Sequence, residues 1–263
     1  MASINDICQF MEKFAPTQLA EDWDNVGLLV GDRALPVKRV MTCLTVTPET
    51  VDEAVQRQAD LIVTHHPIPF RPIKRLTTDS MAEGLVWQLA RAGISVYSPH
   101  TAFDSAKGGI NQSLGTRLGV GELESLIPQE DGLLEVGAGR FGRLPERQSL
   151  TQFVSSIKLD LSIESVRVVD GGGGSVERVA IACGSGGSFL GKAKARGCDT
   201  LVTGEATFHT CLEAKARGVS LVLLGHFASE RFAVEALAEL LGSSFDSLEI
   251  WASANERDPL SSM

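Results

Sequence analysis

Short runs of β-branched and aliphatic residues alternate with amphipathic stretches along much of this chain, and each apolar run stops abruptly at polar residues. Leu61-Ile62-Val63-Thr64 is followed at once by His65-His66-Pro67. Four β-favouring residues closed by a Pro-containing turn predict a buried strand. A helical stretch over 48–58 precedes it, and a second over 81–92 leads into Gly93-Ile94-Ser95-Val96-Tyr97. The second half repeats this plan. Residues 191–197 lead into Cys198-Asp199-Thr200-Leu201-Val202-Thr203-Gly204-Glu205, and a helix over 208–217 leads into Gly218-Val219-Ser220-Leu221-Val222-Leu223-Leu224. In both halves the first strand opens with Asp, ends in Val-Thr and presents a polar pair. The second strand ends at His100-Thr101-Ala102-Phe103-Asp104 in one half and at Gly225-His226-Phe227-Ala228-Ser229-Glu230 in the other.

Helices alternating with short apolar strands predict βαβ units and parallel pairing. The fold class expected is α/β: two related lobes, 1–131 and 132–263, with mixed, largely parallel sheets. Their strand ends would converge on one cleft. Two α/β units can look alike by chance, and the shared polar residues after each strand are what favour a repeat. Val166-Arg167-Val168-Val169 and Val176-Glu177-Arg178-Val179-Ala180-Ile181 flank a glycine run, which predicts two strands joined by a loose hairpin turn. That run lacks the Lys-Ser/Thr ending of a phosphate loop. Gly184-Ser185-Gly186-Gly187-Ser188, ahead of a helix carrying Lys192 and Lys194, is the better candidate for receiving an anion on backbone N–H groups.

Composition narrows the possibilities. With 263 residues, 43% hydrophobic and 22% charged, the chain reads as globular. No apolar run reaches the roughly 18 residues of a membrane span, and the amino end lacks a basic region followed by an apolar stretch. A cytoplasmic location with no membrane partner is the expectation. The net charge of −9 argues against a nucleic-acid partner, which would meet a basic face. Five cysteines without a CxxC pair read as buried reduced thiols.

The candidate chemistry gathers at the strand ends, where ligands collect in α/β sheets. His65, His66, Asp104, His226 and Glu230 are possible metal ligands, and His226 and Glu230 share a side if a helix has begun there. Five donors exceed the three plus water of one catalytic zinc, whereas two ions bridged by a carboxylate would use them all. Nitrogen and oxygen donors without thiolate suit zinc, iron, manganese or cobalt and do not choose among them. Histidines at strand ends also serve as hydrogen-bonded core or surface residues, and spacing alone leaves both roles open. His100, Glu205 and His209 are candidates for orienting ligands or moving protons, with Glu205 and His209 four residues apart. As residues of catalysis we single out His209 and Glu205; a helix-start surface role is the alternative for His209.

An ordered set of short motifs adds to this. Asp22-Trp23-Asp24-Asn25-Val26-Gly27-Leu28, Thr64-His65-His66-Pro67, His100-Thr101 through Asp104 with Gly108-Gly109-Ile110-Asn111, Gly139-Arg140-Phe141-Gly142, Thr203-Gly204-Glu205 and Gly225-His226 with Glu230 occur in that order. Together they resemble the GTP cyclohydrolase type-two family, also called NIF-three-like proteins, over about residues 21–230 and on through the final helix. The resemblance implies a two-lobed α/β fold with a metal cleft, and two divalent metal ions per subunit on His65, His66, Asp104, His226 and Glu230. It also implies self-association into a homohexameric ring. Some members carry a domain inserted mid-chain, for which this chain has no room. One departure is visible: members often have Asp where this chain has Thr45 in Cys43-Leu44-Thr45-Val46-Thr47. Trp23, Asp24 and Asn25 are read here as fixing the fold near a subunit boundary.

The activity implied is a metal-dependent hydrolase opening the purine ring of GTP at C8; by their position in the loop after His66, Arg71, Lys74 or Arg75 are the basic groups expected to meet the triphosphate. A metal-dependent phosphoesterase on nucleotides or other phosphate esters would use the same two-metal logic. A non-catalytic metal-binding scaffold or regulator is the third reading.

Overall fold

The computed structural model describes residues 2–129 and 135–261. Among them the strands are β1 (Gly27–Val30), β2 (Arg39–Cys43), β3 (Leu61–Thr64), β4 (Ser95–Ser98), β5 (Gly121–Pro128), β6 (Gly137–Ser149), β7 (Arg167–Val169), β8 (Ser175–Ala182), β9 (Thr200–Thr203), β10 (Ser220–Leu223) and β11 (Glu249–Ala252). The α-helices are α1 (Ile4–Phe14), α2 (Pro48–Gln56), α3 (Met81–Ala92), α4 (His100–Ser105), α5 (Ile110–Arg117), α6 (Leu150–Asp160), α7 (Leu190–Ala195), α8 (Phe208–Arg217) and α9 (His226–Ser244).

The chain forms two compact units, Met1–Phe103 with Arg231–Met263, and Asp104–Glu230. These boundaries differ from the division at 131/132 expected from the repeat, a position that itself lies outside the described residues. The reason is strand pairing. β11 pairs in parallel with β2, from Glu249 on Arg39 to Ala252 on Thr42, so the end of the chain returns to the first sheet. β5 pairs with β6, which assigns residues 121–128 to the second.

In the first unit the sheet order is β1-β4-β3-β2-β11, parallel throughout except for β1, which runs antiparallel to β4 at one edge. β2, β3 and β4 are almost wholly buried, which requires cover on both faces and explains their continuous apolar runs. α2 and α3 pack one face through Val51, Ala54, Leu85 and Leu89 against Met41, Ile62 and Val96. Each fully buried aliphatic side chain of this kind contributes roughly 1.5–3 kcal/mol. Thr47 caps α2 through its Oγ1, which accepts from the Thr50 amide, and Pro48 starts the helix where no N–H is needed. α3 stops at Gly93, whose φ of 72° is the left-handed conformation that glycine adopts freely.

The second unit has the order β5-β6-β8-β9-β10-β7. β8, β9 and β10 are parallel, with antiparallel strands on both flanks. Both sheets are therefore mixed within an α/β fold, as expected. The hairpin expected around the glycine run is not formed. β7 pairs with β10 at the sheet edge instead of with β8, and the Gly171 amide donates to Ser220 Oγ at 3.2 Å. A Cβ on Gly171 would lie 2.6 Å from the Val219 carbonyl carbon, so the glycine run serves a close crossing of backbones.

The internal repeat is visible in the hydrogen bonding. Asp60 Oδ2 accepts from the Lys38 and Arg39 amides at 2.7 and 2.9 Å, where β2 begins. Asp199 Oδ2 accepts from the Glu177 and Arg178 amides, both at 2.9 Å, within β8. Each carboxylate opens a parallel strand by gripping two consecutive donors of its neighbour.

Candidate metal centre

In the first unit, three imidazoles meet at the carboxyl ends of β3 and β4. The ladder with β2 continues past β3: His65 N–H donates to Cys43 O at 3.0 Å and His66 N–H to Leu44 O at 2.8 Å. This holds both histidines to the sheet. His100 begins α4, directly after β4. One nitrogen from each of His65, His66 and His100 lies within 4.8 Å of the others, with His65 buried and the other two half-buried. Such a set can hold a metal ion. His100, expected only to orient a ligand, is thus one of the clustered donors.

Each half-buried imidazole has a fixed partner. His66 Nδ1 lies 2.7 Å from Thr45 Oγ1, so Thr45 stands where an orienting group is needed. Its backbone is pinned in turn: Glu256 accepts from the Leu44 and Thr45 amides at 2.9 and 2.6 Å and meets Arg231 Nε at 3.0 Å. Burial raises the Glu256 carboxyl above its ordinary range despite these donors. His100 Nδ1 lies 2.7 Å from Asp24 Oδ1, which leaves Nε2 for a ligand. Asp24 Oδ2 also takes the Thr101 amide at 3.1 Å and the Thr101 hydroxyl. Burial opposes ionisation of Asp24, but the bonds from His100 and Thr101 outweigh it and hold the carboxyl at about 2. Asp24 of the Asp-Trp-Asp-Asn motif is therefore bonded to the cluster itself, beyond the part in fixing the fold expected of Trp23, Asp24 and Asn25.

The second unit carries carboxylates around one imidazole. α9 begins at His226, so a helix has begun there and His226 and Glu230 are separated by one helical turn. His226 Nε2 lies 3.2 Å from Glu230 Oε2, and His226 Nδ1 lies 3.4 Å from Glu205 Oε1. The hydrogen bond to Glu230 is the main reason that His226 is raised to about 8; burial opposes it and Glu205 adds to it. Gly184 makes room for this pair. A Cβ there would stand 2.4 Å from Glu230 Oε1 and 3.3 Å from His226 Nε2. The turn that looked fit for an anion thus faces a carboxylate, which makes it unsuitable for one.

Asp104 is held by its own network. Its Oδ1 accepts from Cys183 Sγ at 3.2 Å, and Asn111 donates to the Asp104 carbonyl while its Oδ1 accepts from the Cys183 amide. Burial, with the charges of Asp104 and Glu230, pushes the Cys183 thiol well above its ordinary value, so it stays protonated. The carbonyls of Ser105 and Ala106, just beyond Asp104, are gripped by Arg140 Nη2 at 3.3 and 2.7 Å. Arg140 is fully buried and also bonds Gly137, Gly139 and Glu135 carbonyls and the Gln112 side chain. His209, by contrast, is exposed on α8, with its ring against Phe208. Of the two proton-transfer candidates, Glu205 is the one in contact with a candidate ligand.

These donors suit a divalent cation. The second unit concentrates carboxylates around His226 in a cradle opened by a glycine, and in the first unit His66 and His100 are oriented through their Nδ1 atoms by a hydroxyl and a carboxylate, the pattern found behind metal-bound histidines. Fold and donor clusters together define a two-unit α/β protein able to hold a metal ion through histidine and glutamate.

The chain belongs to the Duf34/NIF3 (NGG1p interacting factor 3) family, whose model matches residues 2–259. It is 32% identical over 260 residues to a GTP cyclohydrolase 1 type 2 homolog of Clostridium acetobutylicum, covering 97% of both chains. It is also 32% identical over 256 residues to NIF3-like protein 1 of Drosophila melanogaster, covering 95% of this chain and 86% of that one. Among solved structures, a hypothetical protein of Staphylococcus aureus superposes with a TM-score of 0.90 at 26% identity, covering 99% of each chain. Reduced HcgD from Methanocaldococcus jannaschii superposes with a TM-score of 0.82 at 27% identity, covering 95% of this chain and 97% of that one.

Proposed function

We propose that this protein is a metal-dependent hydrolase that opens the purine ring of GTP, with two divalent ions on His65, His66, Asp104, His226 and Glu230. The observation that carries this reading is the cluster of His65, His66 and His100, whose donor nitrogens lie within 4.8 Å of one another at the ends of adjacent parallel strands. The relatives named GTP cyclohydrolase 1 type 2 homolog support the choice of substrate.

Divalent ions supply Lewis-acid polarisation and a water made acidic near neutral pH. The chain's own residues would do the rest. Thr45 and Asp24 fix the rings of His66 and His100. Glu205, 3.4 Å from His226 Nδ1, is placed to orient that ring or to take a proton. Arg71, Lys74 and Arg75 are exposed in the segment after His66, where they would meet the phosphates. His209 retains a place here as a proton carrier reached by substrate at the surface. Assembly into a homohexameric ring in the cytoplasm belongs to the same reading; light scattering far above 28.1 kDa would support the assembly. Among the described residues no helix is long and apolar enough to cross a membrane.

The test is GTP consumption by the metal-loaded protein, with product analysis and a His66→Ala control. Formate or ring-opened product that disappears in the control supports the reading. Phosphate release alone would replace it with a phosphoesterase, and absence of turnover with the ions present would favour a metal-binding scaffold.

A further inference from the structure

Trp23 and Phe70 are large aromatic side chains left 61% and 52% exposed beside the histidine cluster of the first unit. Exposing two such rings together forfeits burial worth several kcal/mol, so the placement needs an explanation. Their ring centroids are 6.0 Å apart with the planes inclined at 50°, and each lies 6.1 Å from the His100 ring. The remaining imidazoles continue the group, with His65 and His66 centroids 5.1 and 5.7 Å from His100.

The pair is anchored through its backbone. Asp24, next to Trp23, is bonded to His100 and Thr101. Asn25 Nδ2 donates to the Pro69 carbonyl at 2.8 Å, immediately before Phe70. Three consecutive residues thus divide the labour: Trp23 offers a ring, Asp24 fixes the histidine and Asn25 fixes the segment that carries the second ring. Rings held this way keep their positions without being covered, a property of a binding platform more than of a core. Beyond Phe70, the exposed cations Arg71, Lys74 and Arg75 follow within five residues, in a chain whose net charge is −9. Aromatic faces ending in a local positive charge are complementary to a planar ring with an anionic tail.

We propose that Trp23 and Phe70 form a stacking platform that holds a planar nitrogen heterocycle of a nucleotide beside the histidine cluster, with its phosphates toward Arg71, Lys74 and Arg75. This deepens the hydrolase reading by assigning the residues that bind the base, and it rests on that reading only in taking the histidine cluster as the reacting end. Stacking tolerates different bases, because each has a π-face. Trp23 and Phe70 would therefore set affinity for a heterocycle without choosing among purines.

The test is calorimetric titration of the metal-loaded full chain with GTP and, separately, with inorganic triphosphate, for wild type, Trp23→Leu, Phe70→Leu and Trp23→Phe. Metal content and light scattering are recorded for each variant. The leucine variants should weaken GTP binding by about 10-fold or more, and Trp23→Phe, which keeps a ring, by no more than about 3-fold. Binding of inorganic triphosphate and metal content should not change. Leucine variants that bind GTP like wild type would overturn the platform, as would an equal loss of triphosphate binding or a wild type with no preference for GTP over triphosphate. Dissociation of the assembly in these variants would assign the rings to contacts between copies and also overturn it. GTP bound through these rings without ring-opened product would sink the cyclohydrolase reading and leave the platform standing.

Discussion

Thr45 Oγ1 and His66 Nδ1 stand 2.7 Å apart at the ends of two neighbouring parallel strands. A hydroxyl here orients the ring as a carboxylate would, but without adding negative charge. Thr45→Val should keep the fold and weaken metal binding about 10-fold, whereas Thr45→Asp should tighten it by making the imidazole more basic. Competition against a chromophoric chelator measures both. Equal affinities in all three proteins would show that Thr45 does not act on the metal.

The Asp24 carboxyl gives a pH signature in the metal-free protein. Its ordinary value of 3.8 is lowered to about 2 in the folded chain. A lowered carboxyl stabilises the fold above its unfolded value, and the contribution is lost as pH falls through the folded one. Wild type should therefore exceed Asp24→Asn by about 2 kcal/mol at neutral pH, with the gap closing between about pH 4 and pH 2. Urea unfolding at several pH values reads this directly, and a gap independent of pH would assign the effect to packing.

Gly184 offers a steric test. Gly184→Ala brings a Cβ against Glu230 at a φ of +58°, so it should lower metal content and cost about 1–3 kcal/mol of stability. Gly191→Ala, with nothing within 4 Å of the added carbon, should be neutral or stabilise α7 by about 0.5–1 kcal/mol. Thermal unfolding and metal analysis of the two variants side by side separate the local clash from a general intolerance of alanine.

Arg140 should resist even conservative exchange. A lysine ammonium has three donors for the six acceptors that Arg140 reaches. Arg140→Lys is expected to cost about 3 kcal/mol, and Arg140→Met at least as much, because buried carbonyls lose their partners. Chemical denaturation supplies the number; a cost below about 1 kcal/mol would mean that water replaces the guanidinium.

The elements of the repeat were legible because their cues are local: Val-Thr before polar residues, Gly93 and Gly218 closing α3 and α8, and Asp60 and Asp199 opening parallel strands. The pairing of β7 with β10 was not legible. Both strands are apolar, and nothing near Val168 in sequence says that its neighbour is Val222 instead of a residue across the glycine run. β6 was hidden for another reason: Arg140, Arg143, Pro145, Glu146 and Arg147 break the apolar pattern of a strand, and Arg140 is buried only because carbonyls surround it. In the candidate centre, the donors at strand ends were readable from residue type. The role of His100 depends on Asp24, 76 residues away, and only the folded chain brings them together.

Arg140 also bears on how the second unit comes apart. Burial lowers its guanidinium to about 10, and its neutral acceptors come from residues 105, 106, 112, 135, 137 and 139. If any one of these segments frays, a cation is left in an apolar interior with part of its shell missing. Opening of the loop after Asp104 is thereby tied to opening of the sheet that carries Arg140, so the two should exchange their amide hydrogens as a single cooperative unit.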